Sequence, residues 1–325
     1  MPGNPVLLLV GGTGFVGGHL APALVAAFPR HRRVMLSRGE ASARPDWETL
    51  EGDLSDAVAM DRIVAELRPE VVIHLAAQAS VVSDPNATWV VNCGGTFNLA
   101  RAVARHVPRG LFFFSSSGEI YGESFNDGPA REDTAPRPMN AYAGSKLAAE
   151  AVLRALLPQE WRLVIARAFN HTGPGQDERF VLPSFAAQIA RIEAGQIAPR
   201  IRVGNLAAER DFLHVKDVVA AYIALLHYEG PERRILVNVA SGHVYGISDL
   251  LERLRGSARR PFEVEIDPAR MRPSDIPCAA GDPSLLKQLV NWTPRHSIQE
   301  TLDELLDWWR AAVLSGRGEG VSTNH

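Results

Sequence analysis

The sequence predicts an α/β protein: a doubly wound parallel sheet with a smaller α/β lobe toward its carboxyl end. Three observations point to it. Short apolar runs alternate with helix-period segments, a glycine-rich turn links the first run to the first helix, and the alternation stops after about residue 168.

The runs at 6–10 (VLLLV), 33–36, 71–75 (VVIHL), 111–115 (LFFFS) and 163–167 are bounded by Gly, Pro or polar residues. They lack the alternation of a half-solvated sheet, so each reads as a buried strand. Between them, segments 15–27, 57–67, 88–106 and 141–157 have helical spacing. Repeated strand–helix order implies right-handed crossovers with helices on both faces. Farther on, 180–194 and 215–227 read as helices, 235–239 as one more buried strand and 298–313 as a closing helix, with proline-rich loops around 261–277. The expected organisation is a dinucleotide-binding domain of residues 1–167 plus 215–240, a second lobe of 168–214 plus 241–314, and a frayed tail at 315–325. Trp308 and Trp309 are expected to pack the closing helix against that lobe.

Composition narrows the function classes. The chain has 325 residues, 46% apolar and 22% charged, with a formal net charge of −3, close to an ordinary globular protein. That balance gives no support for nucleic-acid binding. Two distant cysteines, Cys93 and Cys278, argue against a disulfide framework or a cysteine-based zinc site. No apolar run reaches the roughly 20 residues a bilayer span needs, and the N-terminus lacks a signal-peptide pattern. The expectation is a cytoplasmic protein with neither membrane nor nucleic-acid partner.

The first strand runs directly into Gly11-Gly12-Thr13-Gly14-Phe15-Val16-Gly17 and then a helix. Glycine allows a tight turn and close backbone approach to a pyrophosphate, whose charge then sits at a helix N-terminus. Strand, glycines and helix in that order describe a Rossmann-type dinucleotide site. The second strand ends near Arg38, and no acid follows until Glu40. An NAD site usually places an acid there for the ribose hydroxyls, whereas Arg38 suits a 2′-phosphate. NADP(H) is therefore the preferred cofactor, with NAD(H) the alternative. Asp53 and Leu54 are candidates to lie beside the adenine.

Tyr142 and Lys146 begin the helix at 141–157 with i, i+4 spacing, which puts hydroxyl and ammonium on one face. A nearby cation lowers a tyrosine's pKa, so the pair is suited to move a proton to or from a carbinol or carbonyl oxygen. Tyr-x-x-x-Lys alone also describes a half-buried tyrosine beside a surface lysine. Its company decides: a strand ends in Ser115-Ser116-Ser117-Gly118-Glu119-Ile120-Tyr121-Gly122, at the carboxyl edge where ligands bind in such sheets. Ser117 is placed to hydrogen-bond a substrate carbonyl while Tyr142 protonates it. With the glycine loop, this describes hydride transfer between a nicotinamide and a secondary alcohol or ketone.

At this point the chain resembles the extended short-chain dehydrogenase/reductase family that acts on nucleotide sugars. GGTGFVG, HLAA at 74–77, VNCGGT at 91–96, SSSGEIYG and YAGSK occur in the family's order and spacing. The resemblance implies that Ser117, Tyr142 and Lys146 form the catalytic triad, with Lys146 also bonding the nicotinamide ribose. It implies cofactor contacts from Gly11, Thr13, Gly14, Phe15, Val16, Gly17, Asp53, Leu54, Leu75, Ala76, Ala77, Asn92, Ser115 and Phe169. It further implies a homodimer through helices matching 88–106 and 141–157.

The stretch Arg167-Ala168-Phe169-Asn170-His171-Thr172-Gly173-Pro174-Gly175-Gln176 is similar to that of GDP-4-keto-6-deoxy-D-mannose reductases, as are 180–195, 203–222 and RPSDIP at 272–277. By matched position, Asn170, Arg210 and Arg272 bind the nucleotide diphosphate of a GDP-sugar, for which the planar arginine fork is suited. His74, His171 and His214 are read as structural, and no metal site is expected.

The resemblance leaves three reactions open. The leading one is reduction of GDP-4-keto-6-deoxy-D-mannose to a GDP-6-deoxyhexose such as GDP-D-rhamnose. A 4,6-dehydratase acting on GDP-mannose needs one more acid–base group. Many dehydratases follow the triad Ser or Thr with an Asp-Glu pair; here Gly118 stands at the Asp position while Glu119 is retained. A 4-epimerase shares the triad. A non-catalytic protein on the same fold often loses the Tyr or Lys, and both are present.

Overall fold

The computed structural model describes residues 4–39, 44–79, 84–271 and 276–316. Along the chain these form β1 (Val6–Val10), α1 (Phe15–Ala27), β2 (Arg32–Ser37), β3 (Glu48–Glu51), α2 (Ala57–Leu67), β4 (Val71–His74), α3 (Pro85–Trp89), α4 (Thr96–His106), β5 (Leu111–Ser117), α5 (Ala141–Leu156), β6 (Arg162–Ala168) and β7 (Asn170–Thr172). There follow α6 (Val181–Glu193), β8 (Arg200–Val203), β9 (Glu209–His214), α7 (Val215–Leu226), β10 (Arg234–Val239), β11 (Val244–Gly246), α8 (Ile247–Ser257), β12 (Glu263–Ile266), β13 (Cys278–Ala279), α9 (Ser284–Val290) and α10 (Ile298–Leu314).

Seven strands form one parallel sheet in the order β10-β6-β5-β4-β1-β2-β3. The strand order reverses between β1 and β4, and a ligand crevice opens at the carboxyl ends beside such a switch point. Alternate residues of β1 feed the two faces. Leu7 and Leu9 pack with Leu20 and Leu24 of α1 and with Val218 and Leu225 of α7, whereas Leu8 and Val10 pack with Val64 of α2, Leu99 of α4 and Leu153 of α5. This is the doubly wound Rossmann-type arrangement the alternating runs predict.

Beyond β6 the chain builds a second layer. β7, β11 and β13 join β9 in a small sheet, and β12 pairs β8. A separate core gathers Leu182 and Phe185 of α6, Leu250 of α8, and Leu305 and Trp309 of α10. β10 then lies beside β6 at the edge of the large sheet.

Several boundaries differ from the sequence reading. The expected helix at 88–106 is interrupted: α3 starts at Pro85 behind an Asp84 cap, and a π-helical stretch at Val90–Gly95 leads into α4. β3 is absent from the sequence reading because ETLE is a short edge strand exposed on most of its length. β7, β8, β9, β11, β12 and β13 are likewise too short or too polar to show a strand period.

His74 is fully buried where β4 meets the π-helical stretch, with Nε2 2.9 Å from Thr96 Oγ1. Because Thr96 donates to the Asn92 carbonyl, His74 supplies the hydrogen in this contact. Burial, then the nearby Lys146 charge, pushes its pKa down to about 3. The unfolded chain thus takes up this proton below about pH 6.5 while the native state refuses it until about pH 3, so stability is lost as the pH is lowered across that window. His74→Asn, which keeps the donor, is expected to reduce the acid slope by up to about 1.4 kcal/mol per pH unit. Urea midpoints measured stepwise from pH 7 to 4 test this; an unchanged slope counts against it.

Candidate active site

The site begins where β1 ends. Gly11 adopts φ +88°, a left-handed conformation that glycine reaches without strain. A Cβ on Gly17 would stand 2.3 Å from the Gly11 carbonyl, so these two turns pack backbone on backbone. Gly14 precedes α1 and no side chain caps the helix, which leaves the amides of its first turn to meet an anion. Thr13, Gly14, Phe15, Val16 and Gly17 all face an open cleft of about 1250 Å³. A cradle of this shape fits the pyrophosphate of a dinucleotide.

Across the cleft, β5 and α5 set the opposite wall. Asn140 caps α5, its Oδ1 accepting from the Ala143 amide at 2.8 Å, and so fixes Tyr142 in the first turn. The Ser117 hydroxyl lines the cleft with the Tyr142 phenol and accepts the Glu119 amide at 3.1 Å. Lys146 is 2% exposed; its Nζ donates to the Ser115 carbonyl at 2.6 Å and stands 4.5 Å above the Phe114 ring. Glu119 faces the same space, with the Asn140 amide donating to it at 3.3 Å.

Electrostatics departs from the simple tyrosine–cation picture. The Tyr142 pKa is raised, first by burial and then by the Glu119 charge, with Ser117 opposing. Lys146 is pushed down to about 7 by burial, against the pull of Glu150. The ammonium is spent on the Ser115 carbonyl, so Tyr142 keeps its proton in this state. A retained phenolic proton suits an acid that gives it to a developing alkoxide. Burial also raises the Glu119 carboxyl, and Asn140 and Arg210 pull the other way.

The second lobe closes the far side of the cleft. Asn170, Phe169 and Arg210 line it, and Arg210 donates to the Glu209 carbonyl at 2.7 Å. His171, read as structural from sequence, lines the cleft too, its ring stacked on Phe15 at 6.0 Å with Nδ1 2.9 Å from the Phe169 carbonyl. His214 lies elsewhere, stacked on His296 at 4.3 Å.

Other expected contacts are placed differently. Leu75, Ala77 and Ser115 line the cleft, whereas Ala76 packs against the Gly11 turn. Leu54 is buried beneath Gly95, and the Asp53 side chain holds the Ser55 amide at 2.8 Å. Asn92 faces inward: its amide bonds both backbone groups of Gln78 and donates to Ser145 Oγ at 3.0 Å. It therefore positions α5 and the strand end instead of lining the cleft. Arg38 is exposed just past β2. Arg272 lies outside the described residues. Among the described residues no group of His, Cys, Asp and Glu is arranged to hold a metal ion, and no helix is long and apolar enough to cross a membrane. Sequence reasoning missed Arg44, whose Nη2 comes within 3.9 Å of where a Gly18 Cβ would be, and the buried pair Glu150–Arg167.

Comparison with known proteins settles the family. A family model described as GDP-mannose 4,6 dehydratase matches residues 8–305. The chain belongs to the GDP-mannose 4,6-dehydratase family. It is thus an NAD(P)-dependent nucleotide-sugar enzyme of the short-chain dehydrogenase/reductase type. One relative of this family member is the GDP-6-deoxy-D-mannose reductase of Pseudomonas aeruginosa, 37% identical, with 94% of this chain and 98% of that protein covered. A solved structure of RMD from Pseudomonas aeruginosa complexed with NADPH is 36% identical and superimposes with a TM-score of 0.78, covering 94% of this chain and 99% of that one. The GDP-mannose 4,6-dehydratase of Vibrio cholerae is 27% identical, over 78% of this chain and 77% of that protein.

Proposed function

We propose that the protein reduces the 4-keto group of GDP-4-keto-6-deoxy-D-mannose with NADPH, giving a GDP-6-deoxyhexose such as GDP-D-rhamnose. The observation that carries this reading is the convergence of Ser117, Tyr142 and Lys146 on one wall of the cleft, facing the glycine turn. The similarity to a reductase over nearly the full length of both chains supports it.

In this reading the first turn of α1 holds the cofactor's pyrophosphate, Arg38 and Arg44 flank its 2′-phosphate, and Phe169 packs by the nicotinamide. NADPH supplies the hydride. Ser117 orients the carbonyl oxygen, Tyr142 gives that oxygen its phenolic proton, and Lys146 offsets the negative charge left behind. Asn170, Arg210 and Arg272 bind the nucleotide diphosphate. We further propose a cytoplasmic homodimer: Trp89, Val90 and Phe97 expose apolar surface along α3 and α4 beside α5.

One observation bears on the choice between reductase and dehydratase. A Cβ at Gly118 would stand 3.0 Å from the Phe169 ring, so the aspartate many dehydratases carry there requires that ring to move. Glu119, at the mouth of the cleft with its carboxyl pKa raised by desolvation, keeps dehydration as the second reading. The test follows nicotinamide absorbance with GDP-4-keto-6-deoxymannose and NADPH, against GDP-mannose without added cofactor. Reductase activity consumes NADPH with the keto sugar alone; a keto product from GDP-mannose overturns the proposal. In the same assay, Arg38→Ser is expected to lower kcat/KM for NADPH roughly 10- to 100-fold, the worth of a charge-assisted bond, while sparing NADH. Equal losses with both cofactors count against the 2′-phosphate role.

A further inference from the structure

Three consecutive serines of β5 meet three successive turns of α5. Ser117 Oγ faces Tyr142, the Ser115 carbonyl holds Lys146, and Ser116 Oγ donates to Glu150 Oε1 at 2.6 Å. Glu150 is 2% exposed and lies one turn beyond Lys146. It takes two bonds from Arg167 of β6, at 2.7 and 3.0 Å, and Arg167 is itself 3% exposed. Arg167 Nη1 donates to the Tyr121 hydroxyl at 3.0 Å, Tyr121 donates to Asn238 Oδ1 at 2.7 Å, and Asn238 Nδ2 reaches the Ala130 carbonyl at 3.0 Å. The chain of bonds therefore fixes the turn that carries Ser117 and Glu119.

A buried ion pair of this kind is seldom more stabilising than apolar side chains of equal volume. Stability alone does not account for it here. We propose that Glu150 is a positioning residue of the active site: it registers α5 against the serine strand through Ser116 and Arg167, and sets a buried carboxylate one turn from Lys146. The proposal rests on the reading of Ser117, Tyr142 and Lys146 as the reacting wall.

The surroundings of Lys146 support it. Besides Lys146, α5 carries Tyr142, Glu150 and, one turn beyond Glu150, Arg154; His74 faces Lys146 from β4, Tyr222 reaches its Ser115 partner from α7, Arg167 of β6 lies behind Glu150, and Glu119 after β5 acts on Tyr142. Of these, Glu150 is the group whose charge pulls the Lys146 pKa upward against burial. Loss of that charge leaves desolvation unopposed, so Lys146 deprotonates at lower pH.

The chain has three lysines, Lys146, Lys216 and Lys287, so lysine-labelled NMR reads the Lys146 titration directly. The wild-type protein, Glu150→Gln, Glu150→Asp and the double variant Glu150→Gln/Arg167→Met would be titrated, with the kcat pH profile recorded in parallel. Glu150→Gln is expected to lower the Lys146 midpoint by about one pH unit and to cost about tenfold in kcat above that midpoint. Glu150→Asp keeps the charge and restores the profile. The double variant recovers folding stability but retains the lowered midpoint. A wild-type Lys146 titration in Glu150→Gln, or a double variant that recovers both stability and titration, overturns the proposal. Full activity in Tyr142→Phe would instead sink the catalytic reading, and the NMR readout separates the two failures.

Discussion

Tyr142→Phe is expected to lower kcat for NADPH-dependent reduction by roughly 10²–10⁴-fold, the span of a single general acid, with little change in melting midpoint. The substitution removes one oxygen from a side chain whose ring and backbone keep their places: Asn140 still caps α5, and Ser145 Oγ still donates to the residue-142 carbonyl at 2.8 Å. What is lost is the proton held against Ser117. Burial and the Glu119 charge both keep that proton on the phenol, as the proposed acid role requires. Steady-state assays with the keto sugar give the number. A loss of under about tenfold would move the acid role elsewhere, and Glu119 is the group then to be examined.

The second large effect concerns stability. Arg167→Met is expected to destabilise the fold by roughly 3–5 kcal/mol, because it leaves the Glu150 carboxylate buried without its cation. The Arg167 guanidinium is held charged against burial by its bonds to Glu150 and Tyr121. Methionine fills part of the volume but offers Glu150 no hydrogen, and Ser116 alone then faces it. Chemical denaturation of Arg167→Met beside Glu150→Gln/Arg167→Met checks this: the double variant should recover most of the loss. A single variant within about 1 kcal/mol of wild type would mean that the carboxyl takes a proton instead, at little cost.

Much of the central sheet was legible because its strands are buried on both faces. VLLLV, VVIHL and LFFF bring enough apolar surface that no other arrangement satisfies them, and each sits in the parallel sheet within one or two residues of its expected span. The glycine turn was legible for a related reason: only a few residue types fit there, so the letters carry the geometry. The second lobe was not. Strands such as Cys278–Ala279 and Val244–Gly246 are set by their partners in β9, and two or three residues hold no period to read. The break of the 88–106 helix at Val90–Gly95 was likewise invisible, since the pattern of apolar residues continues across it.

The site divides the same way. Spacing singles out Gly11, Ser117, Tyr142 and Lys146, which line one cleft, because i, i+4 on a helix and a strand end at a sheet's carboxyl edge are local facts. Asn92 was read as a cofactor contact, yet its amide is taken up by Gln78 and Ser145, and Glu150 passed unnoticed although it stands four residues after Lys146. Hydrogen-bond partners distant in sequence decide both cases.

By itself, then, the sequence determined the architecture of the parallel sheet, the glycine turn after its first strand and the residue types that line the candidate site, all of which follow from local pattern and burial. Tertiary structure alone decided that Lys146 turns to the Ser115 carbonyl, that Phe169 packs against Gly118, and that Glu150 and Arg167 meet behind the serines. Those outcomes depend on which strands become neighbours, and in a low-dielectric interior a charge is governed by whatever the fold brings within a few ångströms of it.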